Sequence, residues 1–423
     1  MEMIAFVIGV VVLVVGLAVS IALHEIGHLV PAKKFGVRVG QYMVGFGPTL
    51  FSRRRGETEY GIKAIPLGGY ISMAGMYPPS KAEGRAGGGF FATMVQDARV
   101  ANDESLEGVD ESRVFYRLPV WKRIVIMLGG PFMNLLFAIV LMMIVLSGIG
   151  VQTVTTTVGA VSDCVATTSA SACTADDPLA PAAAAGMEAG DEIVSIDGQE
   201  VADFAEAAAI IQDAAGQSLR VVVDRDGEQV ALAVTPAEVT RTLSDGTEVQ
   251  VGVIGITGAT EFVREPLWAA PVAAAENVVA VAEIVVQMPV KVYETAASLV
   301  TGEDRDPNGP LSIVGAGAIA GEVAAADAPI VNRIAVMLSL LASLNIALFV
   351  FNLVPLLPLD GGHVVVALWD GIRRKWAKLI GRPEPGPIDA TKLVPVTFVV
   401  VIAIVVMGGV LILADLINPV SLF

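Results

Sequence analysis

Histidine, cysteine and charge are all scarce in this chain. Its 423 residues hold three histidines and two cysteines, and only 17 % are Asp, Glu, Lys or Arg. Soluble domains carry about 25 % charged residues, so an ordinary water-exposed surface cannot cover most of this molecule. The cysteines, Cys164 and Cys173, have no histidine and no further cysteine near them. A zinc site there is not expected, whereas a disulfide closing the short loop fits a segment that lies outside the cell. Basic residues are outnumbered 27 to 43, for a net charge of −16. Phosphate contacts need Lys and Arg, so nucleic acid is not expected as a partner. The N-terminus carries Glu2 and lacks both the positive charge and the clean small-residue cleavage site of a signal peptide. An uncleaved first span is predicted instead.

What is present is hydrophobic. Such residues make up 54 % of the chain, against about 45–50 % in soluble domains, which points to a membrane protein. The length allows two or three domains. Charge is distributed unevenly: Pro31 to Arg123 holds 14 basic and 9 acidic residues, whereas Gly150 to Ile330 holds 6 basic and 27 acidic. The basic stretch should be cytoplasmic and the acidic one outside.

Four transmembrane helices are predicted. Residues 1–30 form the first: Ile4 to Leu23 is uncharged and long enough to cross a ~30 Å hydrocarbon core, and Lys33 and Lys34 follow on the cytoplasmic side. Residues 31–118 are cytoplasmic. Gly45-Phe46-Gly47-Pro48 and Tyr60 to Met73 read as β-hairpin material, and such a hairpin can re-enter the membrane where protein lines a cavity. Its edge could pair with an extended substrate. Residues 76–113 read as a loop. Residues 119–149 form the second span, anchored by Trp121, Lys122 and Arg123, with Gly130 and Asn134 on one face. The third span, 331–360, ends in a run of prolines and glycines that predicts a broken helix. A basic cytoplasmic loop, 361–393, leads to the fourth span, 394–415.

Between the second and third spans lies the outside region. Residues 150–256 alternate Val-rich runs with turns, such as Asp226-Gly227, and include one helix capped by Asp203. The stretch Pro181 to Ile196 resembles the signature of PDZ domains, which implies a small external PDZ-like module. Residues 257–330 are expected to be an amphipathic linker on the outer surface, because Glu276, Glu283 and Gln287 share one helical face.

Two of the three histidines fall in His24-Glu25-Ile26-Gly27-His28. Four residues apart on a helix, both imidazoles can reach one metal, and Glu25 can take a proton from water activated there. A catalytic zinc usually has three protein ligands. Asp360 and His363, just after the broken helix, both qualify by position, and a helix N-cap is the plainer role for Asp360. Either can meet His28 only if the third span enters from outside, so an additional crossing between 257 and 330 would put them on the wrong side.

The H-E-x-x-H in the first span, the Gly68-Gly69-Tyr70 strand, Gly130-x-x-x-Asn134, the PDZ-like module and Asn352-x-x-Pro with Leu359-Asp360-Gly361 together resemble the site-2 protease family of intramembrane zinc metalloproteases, its bacterial regulator-of-sigma-E group above all. The resemblance covers nearly the whole chain. It implies zinc held by His24, His28 and Asp360, with Glu25 as the general base and no metal role for His363. It implies that Asn352 and the strand at Gly68, Gly69 and Tyr70 hold the substrate. Partners would be the lipid bilayer and membrane-spanning proteins, such as anti-sigma factors already cut by another protease. The active site would lie near the cytoplasmic side of the plasma or inner membrane. A zinc-binding receptor or transporter that uses the PDZ-like module as a sensor is the competing class. It would need a second polar track through the spans, and none is visible.

Overall fold

Thirty-three residues, Glu2–Lys34, form one helix, α1. Its apolar run holds no helix breaker before Pro31, and Lys33 and Lys34 sit where cations favour the helix dipole. The computed structural model describes residues 2–79, 89–164, 179–242, 248–302, 305–306 and 309–419. Cys173 lies outside them, and with it the expected Cys164–Cys173 bridge.

After the turn at Gly36 come β1 (Val39–Arg55) and β2 (Thr58–Met73). Both strands bend at glycines with positive φ: Gly45, Gly47 and Gly68. The bends let the first part of β1 pair twice. Met43 faces Tyr70 on one side and Gly61 on the other. Residues 69–73 therefore form one edge of a curled sheet, and among the described residues they pair only with residues 39–44. Helix α2 (Phe90–Leu106) follows, inside the stretch that the sequence suggested was a loop. Helix α3 (Val120–Met143) continues through a π-helical turn to Ile149.

Residues Ile149–Glu265 form a separate compact unit. Its strands are β3 (Val151–Val161), β4 (Glu192–Ile196), β5 (Gln199–Glu200), β6 (Leu219–Arg225), β7 (Glu228–Val234), β8 (Ala237–Thr242), β9 (Glu248–Val253) and β10 (Ile256–Val263). The main sheet runs β10-β3-β4-β6-β7, with β5 beside β4, while β8 and β9 form a second ribbon. Two helices, α4 (Pro181–Ala184) and α5 (Phe204–Asp213), complete it, and Asp203 caps α5 as expected. The core is built from Val158, Ile193, Ile196, Ile211, Val221, Val223 and Val234. β10 pairs along β3, so the unit runs past residue 256, the boundary the sequence suggested.

The rest of the chain belongs with the N-terminal part. It comprises α6 (Ala269–Thr301), α7 (Ile313–Ala325), α8 (Ile330–Leu353), α9 (Asp360–Leu379) and α10 (Val394–Ile417). Among the described residues, five helices are long and apolar enough to cross a membrane: α1, α3 with its extension, α6, α8 and α10. The additional one, α6, lies where a surface linker was expected. Its polar stripe is real, with Glu276 and Glu283 exposed, but its opposite face packs Ala274 against Ala138 of α3 and Ala342 of α8. The small residues let the helices approach closely.

The relative directions of the helices keep the far end of the chain at the right level. Gly27 and Gly129 meet backbone to backbone, and His28 reaches Ile126, so α3 crosses α1 with their chain directions opposed. Along α8, Leu341 meets Gly16 and Asn345 donates to Ser20, so α8 runs parallel to α1. Helix α7 runs the other way, with Ala316 by Leu13 and Ala324 by Gly9. Its first turn is held by Ser312 and by Asp415 of α10, which accepts from the Ser312 and Gly315 backbone N–H groups and pairs with Arg305. Helix α8 thus starts at the same end as α1, and α7 runs against both.

Candidate metal centre

The broken helix expected after Asn352 is present. Helix α8 stops at Leu353, and residues 354–359 form tight turns. Asp360 then opens α9, with Leu359 as N-cap. The turn is close enough that side chains at Gly361 or Gly362 would strike the Leu353–Leu357 backbone. Asp360 is thereby carried to α1 with its carboxylate facing the two histidines.

The three groups converge. His24 Nε2 and His28 Nε2 are 3.1 Å apart, and Asp360 Oδ2 lies 3.4 and 3.3 Å from them. A tetrahedral ion with bonds of about 2.0–2.2 Å holds its ligand atoms roughly 3.3–3.6 Å apart, so these spacings fit zinc. The donor set fits as well. His28 Nδ1 lies 2.7 Å from the Ile126 carbonyl, to which it donates, and this leaves the Nε2 lone pair directed at the centre. Asp360 Oδ2 has no hydrogen-bond donor apart from these rings. The His28 lone pair and the Asp360 oxygen facing one another repel unless a cation sits between them, and His24 Nε2 stands beside them as a further donor atom. Among the described residues this is the only group of three or more His, Cys, Asp or Glu side chains close enough to hold a metal.

The surroundings are dry and tight. His28 and Glu25 are buried. A Cβ on Gly130 would overlap the His28 ring, so only glycine lets α3 pass at this level. A Cβ on Gly69 would lie 2.9 Å from Glu25 Cγ and 2.8 Å from Ile21. The edge segment of β2 therefore runs directly over Glu25. Gly68 has φ +124° and faces Phe46, and Tyr70 donates from its hydroxyl to Gln41 Oε1. The other residues fall elsewhere. Asn352 sits in the last turn of α8 and donates to the Leu348 carbonyl. His363 stacks on Tyr77, 6.3 Å between ring centres.

Two further elements were not apparent from sequence. The Ile126 carbonyl has no side-chain signature. The pair of Arg123 and Asp370, 2.6 Å apart and buried, joins α3 to α9. Only its charges at the ends of apolar runs hinted at it.

Two histidines and a carboxylate beside a buried glutamate are the donor set a zinc-dependent hydrolase uses, here in a chain with five helices long and apolar enough to cross a membrane among the described residues, and the comparisons give the same class. The model of Peptidase family M50 matches residues 12–381. The chain is 34 % identical to the zinc metalloprotease Rip1 of Mycobacterium tuberculosis (strain ATCC 25618 / H37Rv) over 435 residues, 99 % of each chain. It is 35 % identical to Rip1 of Mycolicibacterium smegmatis over 440 residues, again 99 % of each. It is 30 % identical to the metalloprotease MmpA of Caulobacter vibrioides over 390 residues, 88 % of this chain and 89 % of that one. The chain belongs to Peptidase family M50, the site-2 protease family of zinc metalloproteases.

Proposed function

We propose that the chain cleaves peptide bonds of membrane-spanning proteins at a zinc held by His24, His28 and Asp360. The observation that carries this reading is the approach of those three ligand atoms to within 3.1–3.4 Å of one another beside buried Glu25. Zinc held there would supply Lewis acidity, activating water at neutral pH and polarising the scissile carbonyl. Glu25, one residue from His24, would take the proton of the attacking water and deliver it to the leaving amine. His28 is held as a ligand by the Ile126 carbonyl.

A transmembrane substrate must unwind before its bonds can be reached, and its freed backbone groups then need partners. The outer edge of Gly69–Met73, which pairs on one side only among the described residues and passes over Glu25, supports a role as the strand that receives them. Asn352 would assist from the end of α8 once its amide turns away from Leu348. Unit Ile149–Glu265 is read as the PDZ-like module, on its sequence signature, its capped helix and its sheet. The basic segments that flank α1, α3 and α9 favour a cytoplasmic position for the metal end, with the module outside. Substrates of the anti-sigma type, trimmed beforehand by another protease, fit that layout.

The test uses purified protein in proteoliposomes with a tagged single-span substrate. Glu25→Gln should keep one zinc per chain and lower cleavage by about 10²–10⁴-fold. Asp360→Asn should lose zinc. Cleavage undiminished in Glu25→Gln, or zinc retained in Asp360→Asn and lost in His363→Ala, would overturn the assignment. Zinc bound normally without turnover of any membrane substrate would favour a receptor or transporter.

A further inference from the structure

Helix α9 carries a face that neither the metal site nor the spans explain. Val365, Leu368, Trp369, Ile372, Trp376 and Leu379 recur at helical spacing and are all exposed, Trp376 at 63 % and Leu379 at 78 %. They form one stripe. The opposite side, with Ala367, Asp370 and Ala377, is buried in the protein. The helix is not apolar enough to cross a membrane and is not among the five that are. Asp370, Arg373, Arg374, Lys375 and Lys378 forbid a lipid-buried course.

Its level is given by its neighbours. Asp370 pairs with Arg123, and Gly371 packs on Val120, so the middle of α9 lies against the first turn of α3. Trp121 and Lys122 there are the residue types that gather at a water–lipid boundary. A helix with an apolar stripe and a cationic flank at this level has the form of one that lies along a membrane surface.

The cationic flank is a basin. Arg374, Lys375, Lys378, Arg382 and Glu384 line a cavity of about 430 Å³. Arg374 is engaged by Asp370 and Glu384, at 3.1 and 3.2 Å. The side chains of Lys375, Lys378 and Arg382 make no ion pair among the described residues. Four cations against one acid, beside an exposed tryptophan stripe, are complementary to a ligand with an anionic head and an acyl tail.

We propose that α9 docks on the bilayer surface and that this basin binds the headgroups of anionic phospholipids, while Trp369, Trp376 and their neighbours seat among the upper acyl chains. Each cation at a membrane surface contributes about fivefold in affinity for anionic lipid. Removal of three should cost about a hundredfold. Arg374 also touches Asp370, which holds Arg123 on α3, so two ion pairs sharing that carboxylate link the headgroup site to the helix that orients His28.

The test needs neither zinc nor substrate, so it stands or falls apart from the protease reading. Full-length protein carrying Trp121→Phe and Trp268→Phe, which leaves Trp369 and Trp376 as reporters, is placed in vesicles of phosphatidylcholine and phosphatidylglycerol. Either lipid is brominated in turn. Brominated phosphatidylglycerol should quench more strongly at equal content. The variant Lys375→Gln/Lys378→Gln/Arg382→Gln should lose that preference while still being quenched by both lipids. Lys375→Arg/Lys378→Arg should keep it, which separates lost charge from lost fold. Equal quenching by both lipids in the parent protein would overturn the proposal, as would a preference that survives the triple substitution. Quenching by neither would mean that protein, such as a second copy, covers the stripe. Loss of the preference on adding millimolar inorganic phosphate would assign the basin to a soluble anion instead.

Discussion

A methyl group on Gly130 would overlap the His28 imidazole at Nε2, the atom that faces Asp360. Gly130→Ala should therefore tilt the ring off its Ile126 acceptor and weaken zinc by about 10–100-fold, the usual cost of losing such support. Competition with a fluorescent chelator measures it, and an unchanged affinity would show that α3 can yield. The histidine pair was legible in sequence because helical periodicity alone puts positions 24 and 28 on one face. The third ligand was not: Asp360 and His363 are equally near the broken helix, and only the resemblance separated them. The structure places Asp360 in the cluster and stacks His363 on Tyr77. The carbonyl of Ile126 was invisible, since any residue has one.

At the scale of elements, the edge of β2 is the part most exposed to test. Gly69→Val would press branched carbons against Glu25 and Ile21 and push residues 69–73 off α1. Cleavage should fall by at least about tenfold, as proton transfer loses its geometry, while zinc content stays at one per chain. Full activity in that variant would remove the strand from the mechanism. The hairpin was readable from its glycines and alternation, but its double pairing was not, because bends at Gly45 and Gly68 leave no periodic mark. The packing of helices α6 and α9 was hidden for a shared reason. Each has charge on one face, which in a linear reading suggests a surface linker or a loop. Each uses the other face for packing, on α3 and α8 or on α3. In the Ile149–Glu265 unit, Asp191 accepts from Arg225 at 2.7 and 2.8 Å and from the Glu188 N–H, and the guanidinium holds its carboxyl below the usual range. A depressed folded-state value adds stability above the ordinary carboxylate pKa of about 4, which is lost as pH falls through the lower value. Hydrogen exchange of β4 and β6 in the full-length protein should accelerate specifically below about pH 4, and Asp191→Asn should be less protected at neutral pH and lack that acid step.

For the molecule as a whole, the parallel course of α1 and α8 is what allows one metal site from two distant segments. Parity reasoning on the sequence demanded it. The structure meets the demand in the parallel course of α8 and α1, although among the described residues it holds one more long apolar helix than the four expected. The Arg123–Asp370 pair then holds the second segment in place. Asp370→Leu leaves Arg123 buried without its partner and should cost about 3–5 kcal/mol, with zinc affinity falling alongside, because α9 carries Asp360. Adding Arg123→Met should recover most of that loss in thermal unfolding. A double variant no better than the single would mean that the pair acts through more than charge. The distance between the two ligand-bearing segments also matters while the protein is being made. His24 and His28 leave the ribosome early, and the Ile149–Glu265 unit is contiguous and can fold next. On the proposed ligand set, no cage for zinc exists until Asp360 has been synthesised and α9 has docked on α3. Every shorter nascent chain is therefore an inert protease, and a chain stopped at residue 345 should enter membranes yet retain no zinc. On that ligand set, activation would be timed by translation itself, since the last ligand is among the last parts of the site to leave the ribosome.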